Sequence, residues 1–167
     1  MMLLRLFTVA LFLVGSCPVD AAQTWRRYTN DRFGTSAEVP PGFTEQTPPA
    51  NNDGHTFLSA DGTARILIFG SLAPSVVVDD FQAYRAWLEE QQGKKGTITY
   101  RAGGKTWFAL SGTEGETTFY LKVAAGCGGQ VAHEVRLEYP AASNTTYSGI
   151  VARVAKSLKG QDIDCPR

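Results

Sequence analysis

No excess of either charge marks this sequence: 16 Lys and Arg stand against 16 Asp and Glu in 167 residues. Without a basic field there is little to attract a phosphate backbone, which sets nucleic acid aside as a partner. Histidine is scarce, with His55 and His133 the two copies. Neither stands at a short, fixed spacing from the cysteines or carboxylates that a metal site needs. The chain also lacks a Gly-x-Ser-x-Gly elbow and a Cys-x-x-Cys pair, so two common signatures of nucleophilic and redox catalysis are missing. No apolar run reaches the roughly 20 residues of a membrane-spanning helix. These absences leave no catalytic residue, no metal ligand and no cofactor-binding residue to name, and the sequence predicts a protein that is not an enzyme.

What is present begins at the N-terminus. A lone Arg5, an apolar stretch from Leu6 to Val14 and a run of small residues ending at Ala21-Ala22 read as a secretory leader. Val19 and Ala21 occupy the two positions where signal peptidase wants small side chains. Residues 1–21 are thus expected to be a signal peptide, and 22–167 a single domain. A second route competes. Leu13-Val14-Gly15-Ser16-Cys17 resembles a lipobox, in which Cys17 would be lipidated, although Gly15 and Pro18 fit that route poorly. The expected location is the periplasm or the extracellular space, with a lipid tether to the membrane as the alternative.

The leader also changes how the three cysteines are read. With Cys17 removed or lipidated, Cys127 and Cys165 remain, and two thiols in an oxidising compartment most simply form a disulfide. A bridge closing about 38 residues is worth roughly 4 kcal/mol in the chain-entropy model. Cys127 sits in a Gly-rich turn and Cys165 in the tail, so the bridge would fasten the tail to the body of the domain.

The pattern along the rest of the chain alternates short strands with two helices. Trp25–Thr29, Phe33–Val39, His55–Ser59 and Ala64–Phe69 read as strands, the last two a hairpin around Asp61-Gly62. Ile66-Leu67-Ile68-Phe69 is apolar throughout, which predicts a strand covered on both faces. A helix is expected from Asp80 to Gln92, capped by Asp79 or Asp80 and ended by Gly93. Thr97–Arg101, Lys105–Ser111 and Glu116–Val123 follow as strands. In Gln130–Tyr139 the residues Val131, His133, Val135, Leu137 and Tyr139 alternate with Gln130, Glu134, Arg136 and Glu138, as in a strand with one wet face. A last helix spans Thr145–Lys159, with Gly160 as its stop. Hairpins with an inserted helix and a terminal helix predict an α+β fold: a twisted, mostly antiparallel sheet flanked by two helices.

Several local patterns resemble functional motifs and read better as structure. Gly103-Gly104-Lys105-Thr106 has Thr99 where a phosphate loop needs its first glycine, and a strand follows it where a helix should. Asn51-Asn52-Asp53-Gly54 lacks both the first and the last ligand of a calcium loop. Asp79-Asp80 suits a helix start and Glu89-Glu90 a solvated helix face. Asn144-Thr145-Thr146 forms a glycosylation sequon that also begins a helix. His133 shares an apolar strand face and is expected in the core, and His55 is expected to be exposed. The aromatics, Trp25, Tyr28, Phe33, Trp87, Trp107 and Phe108, are mostly core candidates. A minority are expected to line a ligand cleft between sheet and helix.

One wider pattern remains. Trp25-x-x-Tyr28, Arg32-Phe33-Gly34 leading into Glu38-Val39-Pro40, Phe57-x-Ser59-x-Asp61-Gly62 and Trp107-Phe108-x-Leu110-Ser111-Gly112 together resemble small secreted alphaproteobacterial proteins of uncharacterised function with a PsbP-like fold. The resemblance implies an assembly factor, chaperone or binding module more than an enzyme, and it brings no site residues with it. The expected function is a non-catalytic envelope protein binding a partner protein or small ligand. The alternatives are a periplasmic inhibitor or immunity protein against an envelope-targeting hydrolase and, further off, a hydrolase using His55 or His133.

Overall fold

The computed structural model describes residues 24–78, 80–163 and 165. The expected leader, Cys17 and Asp79 lie outside the described residues. Among the described residues nine strands and three α-helices follow one another: β1 (Arg26–Thr29), β2 (Ser36–Val39), β3 (Phe43–Glu45), β4 (Gly54–Ser59), β5 (Arg65–Ser71), α1 (Ala73–Val76), α2 (Phe81–Lys95), β6 (Thr97–Gly103), β7 (Trp107–Glu114), β8 (Thr117–Gly126), β9 (Val131–Pro140) and α3 (Asn144–Ser157). Seven strands form one antiparallel sheet in the order β3-β4-β5-β9-β8-β7-β6, and β1 and β2 pair as a separate hairpin. The α+β architecture with a large antiparallel sheet is as the sequence predicts. No helix among the described residues is long and apolar enough to cross a membrane.

Each face of the sheet carries its own core. On one face α3 and the β1–β2 hairpin cover Phe57, Ile66, Ile68, Val135, Leu137 and Tyr139, using Val39, Val151, Val154 and Leu158. On the other, α2 lays Phe81, Tyr84 and Leu88 over Phe108, Leu110, Phe119, Leu121, Val123 and Ala132. Strand alternation separates the two sets, because successive side chains of one strand enter opposite cores. β9 lies between β5 and β8 and supplies both.

That placement corrects the expectation of a wet face on β9. Val131, His133, Val135, Leu137 and Tyr139 are buried as read, but Glu134 on the opposite face is only 2 % exposed, because α2 lies over it. β5 departs from expectation the other way. It is interior to the sheet, with Ile66 and Ile68 buried, yet Leu67 and Phe69 on the α2 side are only half-buried. The core residues under α2 come from β7, β8 and β9, and the helix stops short of covering β5.

The helix ends also shift. Asp80 is the N-cap of α2, its carboxylate accepting from the backbone N–H of Gln82 at 2.7 Å and Ala83 at 2.8 Å. Gly93 does not end this helix. It faces open space inside the last turn, and the helix runs on to Lys95 with Gly96 as its C-cap. A Cβ at Gly96 would overlap the Thr113 carbonyl, so the stop comes from close approach to β7. α3 ends at Ser157, before Gly160, because Leu158 turns extended to bury its side chain while Lys159 pairs with Ser36. β3 and the single-turn α1 are additions; neither has a periodic pattern long enough to read.

Candidate functional site

Where α2 leaves β5 uncovered, a cleft of about 460 Å³ opens between helix and sheet, within the size range of small-molecule sites. One wall is Tyr84, Trp87, Leu88, Gln92 and Lys95 of α2. The floor is Arg65, Leu67, Phe69 and Ser71 of β5 with Glu134, Arg136 and Glu138 of β9, and Leu121 and Glu114 close the far side. A second hollow of about 390 Å³ shares Leu67 and Phe69 and continues over β4 toward Pro49 and Asp53. The aromatic expectation is met in one residue: Trp87 lines the cleft, its ring stacked on Tyr84 at 5.7 Å. Phe33 and Phe108 are core, Trp25 and Tyr28 pack half-buried against it, and Trp107 is 40 % exposed on the other face.

The polar groups of the cleft form two connected units. Arg136 spreads its guanidinium over the Phe119 ring and uses all three nitrogens: Nη1 donates to Gln92 Oε1 and Nη2 to Glu114 Oε1, each at 2.8 Å, and Nε donates to Glu138. Arg65 also pairs with Glu138. Burial alone would raise the Glu138 carboxyl, but the two arginines outweigh it and hold the group below the usual carboxylate range. The second unit is Tyr84 and Glu134, with the phenol donating to Glu134 Oε1 at 2.6 Å. Burial pushes Glu134 up to about 7, although the Tyr84 hydrogen bond and the nearby Arg136 both pull it down. Burial and then the Glu134 carboxylate hold the Tyr84 phenol far above its ordinary value.

The histidines lie elsewhere. His133 is on the opposite face of β9 and 1 % exposed, with Nδ1 2.8 Å from Thr35 Oγ1 and Nε2 without a partner among the described residues. Burial lowers its pKa, with Asp162 opposing. Gly126 and Gly160 pack so closely on its ring that a Cβ at either would overlap it. His55 is not exposed as expected. It is half-buried, its ring 4.9 Å from that of Tyr28 and its Nδ1 paired with Glu45. The two histidines occupy separate places, and neither joins Glu134 in the cleft.

The remaining sequence candidates are local structure. Gly103-Gly104 lies in the β6–β7 turn, closed by Gly104 N–H to Trp107 O at 2.8 Å. Asp53 is held by Arg32 and Asn51. Cys127 and Cys165 are joined as a disulfide with their Cα atoms 5.4 Å apart, fastening the tail beside β8. Asp162 lies next to the bridge but accepts from the Cys127 N–H at 2.6 Å, so the three residues make a structural clasp.

No family model matches the chain, and no curated sequence matches it. Among solved structures it is similar to cyanobacterial PsbP (CyanoP) from Synechocystis, with a TM-score of 0.60 and 15% identity over 89% of this chain and 99% of that one. The fold is PsbP-like. It is also similar to the Ran-binding protein Mog1p of Saccharomyces cerevisiae, with a TM-score of 0.52 and 10% identity over 83% of this chain and 96% of that one. At such identities the likeness is one of fold, and no residue's role passes across.

The cleft was half legible. Trp87 was among the aromatics expected to supply a cleft, whereas Leu67 and Phe69 read as part of a strand covered on both faces. Glu134, Arg136 and Glu138 read as solvated charges, and only their partners on α2 and β7 show them to be cleft residues. The available signal was Tyr84 and Gln92, polar groups on the buried side of α2 that require partners beneath them.

Proposed function

We propose that this protein is an exported, non-catalytic binding protein of the cell envelope, holding a small ligand or a segment of a partner protein in the cleft between α2 and the sheet. The cleft carries this reading: a concave apolar surface with a few convergent polar groups is what a binding site requires. Its lining contains neither histidine nor cysteine, which favours binding over nucleophilic chemistry. The leader at residues 1–21 and the Cys127–Cys165 bridge support an oxidising compartment outside the cytosol. Mog1p, on the same fold, is a Ran-binding protein, which supports a role in binding for this architecture.

The test is affinity purification of the protein from its native envelope, beside a Leu67→Arg variant that places a charge in the cleft. Mass spectrometry of the protein and small-molecule fractions should find a species with the native chain that the variant loses. Equal recovery from both, or a chain found in the cytosol with its leader intact, would refute the reading.

A further inference from the structure

Three carboxylates line the cleft, and two have guanidinium partners. Glu138 pairs with Arg65 and Arg136, and Glu114 pairs with Arg136. Glu134, the most deeply buried of the three, pairs with none. Among the described residues its one donor is the Tyr84 hydroxyl, directed at Oε1, so Oε2 has no donor. Arg136 could turn to it only by giving up three acceptors. Lys95 stands exposed at the rim and makes no ion pair with it. A deeply buried carboxylate is costly to ionise without a directly paired cation, and Arg136 acts on this one only from a distance, its three nitrogens being bonded elsewhere.

We propose that the cleft binds a small organic cation, an amine on an apolar or aromatic body, with its ammonium group on Glu134 Oε2 and its body against Leu67, Phe69 and Trp87. This inference rests on the reading of the cleft as a binding site and names the chemistry that site selects. An ammonium supplies the charge and the donor that Oε2 lacks, as a charge-assisted hydrogen bond in a partly dry site. The indole face of Trp87 adds a favourable surface for a cation or a ring. The hollow that continues over β4 gives the body room to extend along Leu67 and Phe69. An anionic ligand would instead set its charge against Glu134.

Binding should tighten with pH, because the ammonium needs the ionised carboxylate. With Glu134 releasing its proton at about 7, the competent fraction rises about tenfold between pH 6 and pH 8. Of the charged and titratable groups that line the cleft with this carboxyl, Tyr84 of α2 and Arg136 of β9 act on it, while Lys95 of α2, Arg65 of β5, Glu114 of β7 and Glu138 of β9 share the lining. His133 lies on the opposite face of β9. His55 borders the adjoining hollow but is turned to Tyr28 and Glu45.

Isothermal titration with three matched probes tests the proposal: phenethylamine, its acid counterpart hydrocinnamate and its neutral counterpart phenethyl alcohol. The amine should bind at least tenfold more tightly than the other two, and about tenfold more tightly at pH 8 than at pH 6. Glu134→Gln should remove both the preference and the pH dependence, which separates Glu134 from His55 as the titrating group. Equal or tighter binding of the acid or the alcohol, an unaltered Glu134→Gln profile, or no binding of any probe would overturn it. Binding of the alcohol as tight as that of the amine, and lost in Leu67→Arg, would sink the cation and leave the cleft reading standing. Purification from the envelope decides the cleft reading by itself.

Discussion

Glu134→Gln should stabilise the protein at pH 8 and leave it nearly unchanged at pH 4. The folded carboxyl, buried under α2, releases its proton at about 7, against an ordinary value of 4.5. Between those two values the native state binds a proton that the unfolded state has lost, so the wild type loses stability as pH rises. Above about 7 the full cost is present. At about 1.4 kcal/mol per pH unit, the interval from 4.5 to about 7 comes to about 3–4 kcal/mol. Glutamine has the same shape, and its amide oxygen can accept the Tyr84 hydroxyl, so the substitution removes the titration while keeping the hydrogen bond. Urea unfolding followed by tryptophan fluorescence at a series of pH values reads the difference, with equal slopes showing that the unfolded states are comparable. The two proteins should coincide at low pH and diverge until they level off near pH 8. Tyr84→Phe, which removes the hydrogen bond that pulls Glu134 down, should move the bend to higher pH. A difference that does not vary with pH, or a wild type that gains stability over the variant as pH rises, would refute the reasoning.

The tail and the helix caps give further tests. Cys127→Ser with Cys165→Ser removes a bridge spanning 38 residues and should cost about 4 kcal/mol in urea unfolding. Gly160→Ala forces a methyl group into the His133 ring. It should lose about 1–3 kcal/mol, and the His133 ring resonances should shift. Asp80→Ala takes away the acceptor for two backbone N–H groups of α2 and should cost about 1 kcal/mol, seen as a lower thermal midpoint. The intact mass of the protein recovered from its native host should correspond to a chain beginning at Ala22, and a diacylated Cys17 or an uncleaved chain would overturn that cleavage site.

Where sequence reading worked and where it failed follows from what each residue touches. The alternation in β9 was plain because Val135, Leu137 and Tyr139 all enter one core. Its other set was misread because Glu134, Arg136 and Glu138 look identical in sequence whether they face water or α2. The cap of α2 was legible, since an aspartate before an apolar-periodic segment acts through its own next turn. Its end was not, because Gly93 is tolerated in an open stretch of helix while the real stop at Gly96 depends on Thr113 of β7. His133 was correctly placed in the core, but its Thr35 partner comes from 98 residues away.

The sequence alone determined the α+β class and most of the strand and helix order, β3 and α1 excepted, because these rest on local periodicity and turn chemistry. It also carried the two cysteines that pair. Tertiary structure decided the cleft. Its shape follows from α2 covering β7, β8 and β9 and ending its cover before β5, which leaves Leu67 and Phe69 half-open. It decided the state of Glu134 as well, since a carboxyl's proton affinity depends on the water and cations around it. Here burial under α2, and the commitment of Arg136 to Glu138, Gln92 and Glu114, set both.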